Sequence, residues 1–127
     1  MVELCVAIAA AATTVVLPTS TVTLAWVHSV EKTAWQEDYV VAGNALLLAR
    51  ARVKRSGAGM EPPEAAVWRD GWWEFQPALP PMPEVVFANS SFVAGYMVCW
   101  QAECRSLTGM VGRQTATLRV LPCVERS

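Results

Sequence analysis

The segment WQEDYVVAGNALLLARARVK, Trp35 to Lys54, sets two apolar runs on either side of Gly43-Asn44. That pair tolerates the positive φ angles of a two-residue turn, so the segment is expected to be a β-hairpin. Counting outward from the turn pairs Ala42 with Ala45, Val41 with Leu46, Val40 with Leu47 and Tyr39 with Leu48. The same count sets Asp38 against Ala49, Glu37 against Arg50 and Trp35 against Arg52. One face then carries Val40, Leu47, Ala49, Ala51 and Val53, and the other Trp35, Glu37, Arg50, Arg52 and Lys54. On the second face Glu37 is expected to pair with Arg50, and Trp35 to lie under the Arg52 guanidinium, each contact contributing about 0.5–1 kcal/mol if exposed.

Alternation continues on both sides of this hairpin. In TVTLAWVHSV, from Thr21, the residues Val22, Leu24, Trp26 and His28 share one face. LCVAIA and TTVVLP near the start read as the first two strands of a mature domain whose export signal, if any, lay upstream. That opening lacks the basic residues that begin a secretory signal, and it is too short and too rich in Thr to span a bilayer. Between positions 61 and 83 the chain becomes rich in Pro and Trp, so a stiff excursion with one short strand is expected. Strands resume as VVFA, SFVAGYMVCW and TATLRVLPC, with turns at Asn89-Ser90 and around Gly109 to Gly112. No segment keeps a helical period over three turns. The expected fold is all-β, one domain over 1–127, an antiparallel sandwich or partly closed barrel of roughly seven to nine short strands.

Composition narrows the function classes. Ten basic and eleven acidic residues give a net charge of −1, without the basic surplus that nucleic-acid binding requires. Hydrophobic residues make up 54% of the chain and charged ones 17%, which fits a dense β core or a surface that a partner covers. The four cysteines, Cys5, Cys99, Cys104 and Cys123, lack zinc-ligand spacing. Three disulfide pairings are possible, besides four buried thiols. The pairing 5–123 with 99–104 fastens both termini and points to an oxidising compartment.

The chemistry-bearing residues gather between Trp26 and Tyr39, around the single histidine. His28 and Ser29 are neighbours on an extended strand and point to opposite faces, which argues against a nucleophilic pair. His28 with Glu31, Glu37 or Asp38 supplies metal-ligand types, but no second histidine supports them. Hydrogen bonds from His28 and Ser29 that anchor a turn are the structural alternative. Gly57-Ala58-Gly59 lacks the Lys-Ser/Thr continuation of a phosphate loop and reads as a tight turn that sets Met60 near Asp70-Gly71-Trp72-Trp73. Trp72 and Trp73 are adjacent, so one of them must face away from the core if the segment is extended. Met60, Met82, Met97 and Met110 are spaced too irregularly for a copper site and read as core filler.

The unbroken block His28-Ser29-Val30-Glu31-Lys32-Thr33, Trp35 one residue on, and Gly57-Ala58-Gly59-Met60 downstream resemble domain-of-unknown-function family 1850. The likeness runs from Thr21 to about Trp73, and more loosely to the C-terminus. Ala34 stands where members often have proline, and VGRQTATL where they often have a histidine-bearing segment. Members are often encoded beside TAXI-type TRAP transporters, which implies an exported accessory role at or near the membrane, with a transporter subunit or solute-binding protein as partner. The resemblance brings no enzymatic activity and no cofactor.

The expected function is therefore a non-catalytic, periplasmic or extracytoplasmic binding module. Its partner surface would comprise His28, Ser29, Glu31, Trp35, Glu37, Gly57, Gly59, Met60, Asp70, Trp72 and Trp73. The alternative is a small hydrolase or metal-binding protein that uses His28 and the carboxylates near it.

Overall fold

Two antiparallel sheets, neither closed into a barrel, make up the computed structural model of the chain. The structure describes residues 2–10, 13–28, 33–54, 65–88, 95–111 and 117–126. In chain order the strands are β1 (Val2–Ala10), β2 (Thr13–Leu17), β3 (Thr21–His28), β4 (Thr33–Ala42), β5 (Ala45–Val53) and β6 (Val67–Arg69). They continue with β7 (Trp72–Phe75), β8 (Val85–Ala88), β9 (Met97–Trp100), β10 (Glu103–Ser106) and β11 (Thr117–Arg126). One helical turn, α1 (Leu107–Val111), precedes β11 and takes up Gly109, where a turn was expected. The smaller sheet runs β2-β1-β11-β8, and the seven-stranded sheet runs β10-β9-β3-β4-β5-β7-β6.

The eleven strands among the described residues exceed the seven to nine expected. The Pro/Trp-rich excursion holds a whole hairpin, β6–β7, because Asp70 and Gly71 both take positive φ and close a tight turn. A second short hairpin, β9–β10, turns on Gln101 and Ala102. Asn89-Ser90 and Gly112, the other expected turn positions, lie outside the described residues.

The β4–β5 hairpin turns at Gly43-Asn44 as its composition dictates, and the expected pairs hold from Ala42–Ala45 to Tyr39–Leu48. A β-bulge then intervenes. Ala49 is the extra residue, so Asp38 faces Arg50, Glu37 faces Ala51, Gln36 faces Arg52 and Trp35 faces Val53. The expected Asp38–Ala49, Glu37–Arg50 and Trp35–Arg52 pairs are thereby corrected by one residue. The faces are corrected too: Tyr39, Val41, Leu46, Leu48, Ala51 and Val53 are buried, while Val40 and Leu47 lie on the outward side with Asp38, Arg50 and Arg52. The bulge keeps an apolar residue inward on both sides of Ala49.

The core fills the space between the sheets. Val6 and Ile8 of β1, Leu17 of β2, and Leu118 and Val120 of β11 meet Val22, Leu24, Leu46, Leu48 and Val98 of the larger sheet. Leu107 of α1 closes one end. Two disulfides join residues that face each other across strand pairs: Cys5–Cys123 between β1 and β11, and Cys99–Cys104 within β9–β10. This is the pairing that fastens both chain ends.

Candidate functional site

Alternation along β7 sends Trp72 and Glu74 to the outward face of the larger sheet and Trp73 to the other. Trp73 meets Trp68 of β6 edge to face, with ring centroids 5.1 Å apart. Trp72 carries the Lys54 ammonium 4.7 Å over its ring. Beside it lies a groove of about 160 Å³, lined by Ala25, Val27, Trp35, Gln36, Trp72 and Met97 among others. Val27 and Met97 are 38% and 37% exposed, so this part of the sheet offers apolar surface to solvent.

The opposite face of β4 carries Glu37. Its Oε1 accepts a 2.9 Å hydrogen bond from the Tyr39 hydroxyl, two residues on and on the same face. Burial pushes the Glu37 pKa above the ordinary carboxylate value, and the Tyr39 hydrogen bond lowers it by a smaller amount. Burial, and next the negative charge of Glu37, also raise the Tyr39 and Tyr96 hydroxyls. Trp26 stands between Trp35, stacked at 6.3 Å, and Tyr96, tilted at 5.6 Å. Glu37 therefore shares its side of the sheet with aromatic rings, and Arg50 is on the other side.

Outward, the charges form two linked sets. Arg52 donates to both carboxylate oxygens of Asp38, at 2.8 and 2.9 Å, and its Nε donates to Gln36 Oε1 at 3.0 Å. The Thr23 hydroxyl donates to Asp38 at 2.7 Å. Farther along the face, Arg50 and Arg69 both meet Glu74, at 3.3 and 3.5 Å. The expected contact of Arg52 with the Trp35 ring is replaced by this Asp38 pairing, because the bulge puts Trp35 and Arg52 on opposite faces.

Of the residues singled out by sequence, Trp72 turns its side chain outward at this groove. Trp35 borders the groove on β4, but its side chain shares the inward face with Glu37. Asp70 sits exposed in the β6–β7 turn with a φ of 52°. His28 ends β3 with its backbone opposite Thr33, which is buried. The His28 side chain, Ser29, Glu31, Gly57, Gly59 and Met60 lie outside the described residues. Among the described residues no group of three His, Cys, Asp or Glu side chains gathers as metal ligands would, and no helix is long and apolar enough to cross a membrane. Sequence patterning does not single out Arg69, Glu74 or Tyr96. The i, i+2 spacing of Glu37 and Tyr39 was the readable signal for their hydrogen bond, whereas nothing local announces that Arg50 and Arg69 converge.

Two disulfides are compatible with an extracytoplasmic location. No curated protein and no solved structure matches the chain. The family model described as "Domain of unknown function (DUF1850)" matches residues 22–107, which include the Trp72–Met97 groove and both outward charge sets, and more than half of the 127 residues being covered, the chain belongs to that family.

Proposed function

We propose that this protein is a non-catalytic, periplasmic accessory module that docks onto a subunit or solute-binding protein of a TAXI-type TRAP transporter. The observation that carries the reading is the groove formed by Trp72, Met97, Val27 and Ala25 on the outward sheet face. At about 160 Å³ it is smaller than the roughly 300–1,000 Å³ of pockets that enclose whole small ligands. It suits one large apolar side chain of a protein partner. Tryptophan is enriched where interfaces concentrate their binding energy, and the half-exposed rim fits such a role. The family resemblance, whose members are often encoded beside such transporters, is what suggests this partner.

Co-purification of the full chain with the transporter's membrane subunits and binding protein tests this. Recovery of one of them by the native chain, and loss on Trp72→Ala or Met97→Glu with the fold intact, is the expected result. Recovery of neither, or equal recovery by the variants, would sink the proposal.

A further inference from the structure

We propose that the outward face of β5, β6 and β7 binds an acidic, extended polypeptide segment through Arg50 and Arg69. Both guanidiniums rest on one carboxylate, Glu74, by single contacts of 3.3 and 3.5 Å. Glu74 is 16% exposed, whereas Arg50 and Arg69 are 50% and 64% exposed, so the surplus positive charge lies toward solvent. Each guanidinium has five N–H donors, and one contact leaves a fork open for a second carboxylate. The neighbouring pair Arg52–Asp38 is neutral and does not compete for it. Lys54, over Trp72, and Asp70, exposed in the turn, are the remaining described cation and carboxylate of this part of the face.

The shape selects the occupant. Arg50 lines two grooves at once. One, about 390 Å³, is lined by Val67, Arg69, Glu74, Phe75 and Gln76 as well as Arg50. The other, about 480 Å³, runs from Arg50 past Asp38, Thr23 and Thr21 to Trp100 and Gln101. Between β9 and β6 the sheet order places four strands, hence five inter-strand steps of about 4.8 Å. The resulting span of roughly 24 Å is that of about seven extended residues. A chain of that length, with carboxylates at the Arg50–Arg69 end, complements both the length and the charge. This site does not use the Trp72 groove and stands whether or not a transporter subunit is captured.

The test uses the full chain and a fluorescein-labelled octapeptide of alternating Glu and Ser, read by anisotropy at low salt. Saturable binding that weakens as salt rises is expected, with no binding of the Gln–Ser counterpart. Arg50→Gln with Arg69→Gln should weaken binding on the order of tenfold or more. Glu74→Gln, which removes the internal competitor, should tighten it several-fold, an outcome that a merely structural ion pair does not give. Equal binding of the Gln–Ser peptide, no effect of the arginine changes, no tightening with Glu74→Gln, or equal affinity for free glutamate would each overturn the proposal.

Discussion

Arg52 grips Asp38 through two parallel hydrogen bonds, although plain alternation from the Gly43-Asn44 turn sets Ala49, not an arginine, beside that carboxylate. The β-bulge at Ala49 is the cause. It shifts the second half of β5 by one residue, so that Arg50, Arg52 and Lys54 take the outward side and Ala51 and Val53 the inward side. With side-chain exposures of 17% and 26%, the pair stands between a surface ion pair and a buried one. A double-mutant cycle with Asp38→Ala and Arg52→Ala, read by urea unfolding, should give a coupling of about 1–2 kcal/mol. A value near zero would reduce the contact to an ordinary surface pair.

Removing Ala49 should be tolerated. Without it Leu48 still faces Tyr39 and Arg50 still faces Asp38, with inward and outward sides preserved and the ladder now regular. The deletion is expected to change stability by less than about 1 kcal/mol, whereas deletion of Leu47, which the bulge absorbs only by moving Ala49 into the buried place of Leu48, should cost about 2–5 kcal/mol. Equal damage from both deletions, measured by chemical denaturation, would count against the bulge assignment.

The turn was legible because its chemistry is local: Gly43-Asn44 states its own geometry, and four cross-strand pairs follow from it. The bulge had a fainter signal, the change of phase from apolar Leu46 and Leu48 to apolar Ala51 and Val53, which alternation alone does not allow. Trp72 and Trp73 had to part between two faces, but only packing decides that Trp73 meets Trp68 and Trp72 stays outward. The Arg50–Glu74–Arg69 cluster joins residues up to 24 positions apart and depends on a β6–β7 hairpin inside a Pro-rich stretch. Sequence periodicity carries no information at that range.

Glu37 should make stability fall as pH rises. Its folded pKa lies above its unfolded value, so between the two the folded state retains a proton that the unfolded state has released. The slope of stability against pH is then negative across that window, and the favourable contribution is complete only below the unfolded pKa. Glu37→Gln is expected to flatten this decline and to raise stability at neutral pH relative to the native chain. Tyr39→Phe removes the donor that favours the ionised form and should extend the decline to higher pH. Urea midpoints between about pH 4 and about pH 8 check both, and an unchanged slope in Glu37→Gln would refute the assignment.

The two disulfides should contribute unequally. Cys5–Cys123 closes a sequence separation of 118 residues and Cys99–Cys104 one of 5. Loop-closure entropy assigns about 4–5 kcal/mol to the first and about 2 kcal/mol to the second. Replacing Cys5 and Cys123 by alanine is therefore expected to lower the denaturation midpoint more than replacing Cys99 and Cys104. The reverse order would show that native contacts around the β9–β10 hairpin, and not chain entropy, dominate.

The turns of the two short hairpins should respond oppositely to glycine and alanine. Ala102 holds a φ of 67°, a left-handed conformation that disfavours any side chain, whereas Gly71 holds 88° with no Cβ to resist it. A Cβ at Gly71 would meet the Lys54 ammonium at 3.6 Å, an ordinary van der Waals contact, so the cost there lies in the backbone conformation. Ala102→Gly is thus expected to stabilise the protein by about 0.5–1 kcal/mol, and Gly71→Ala to destabilise it by about 1–2 kcal/mol. Thermal unfolding of the two variants decides the matter, since the backbone argument requires shifts of opposite sign and a shared sign would contradict it.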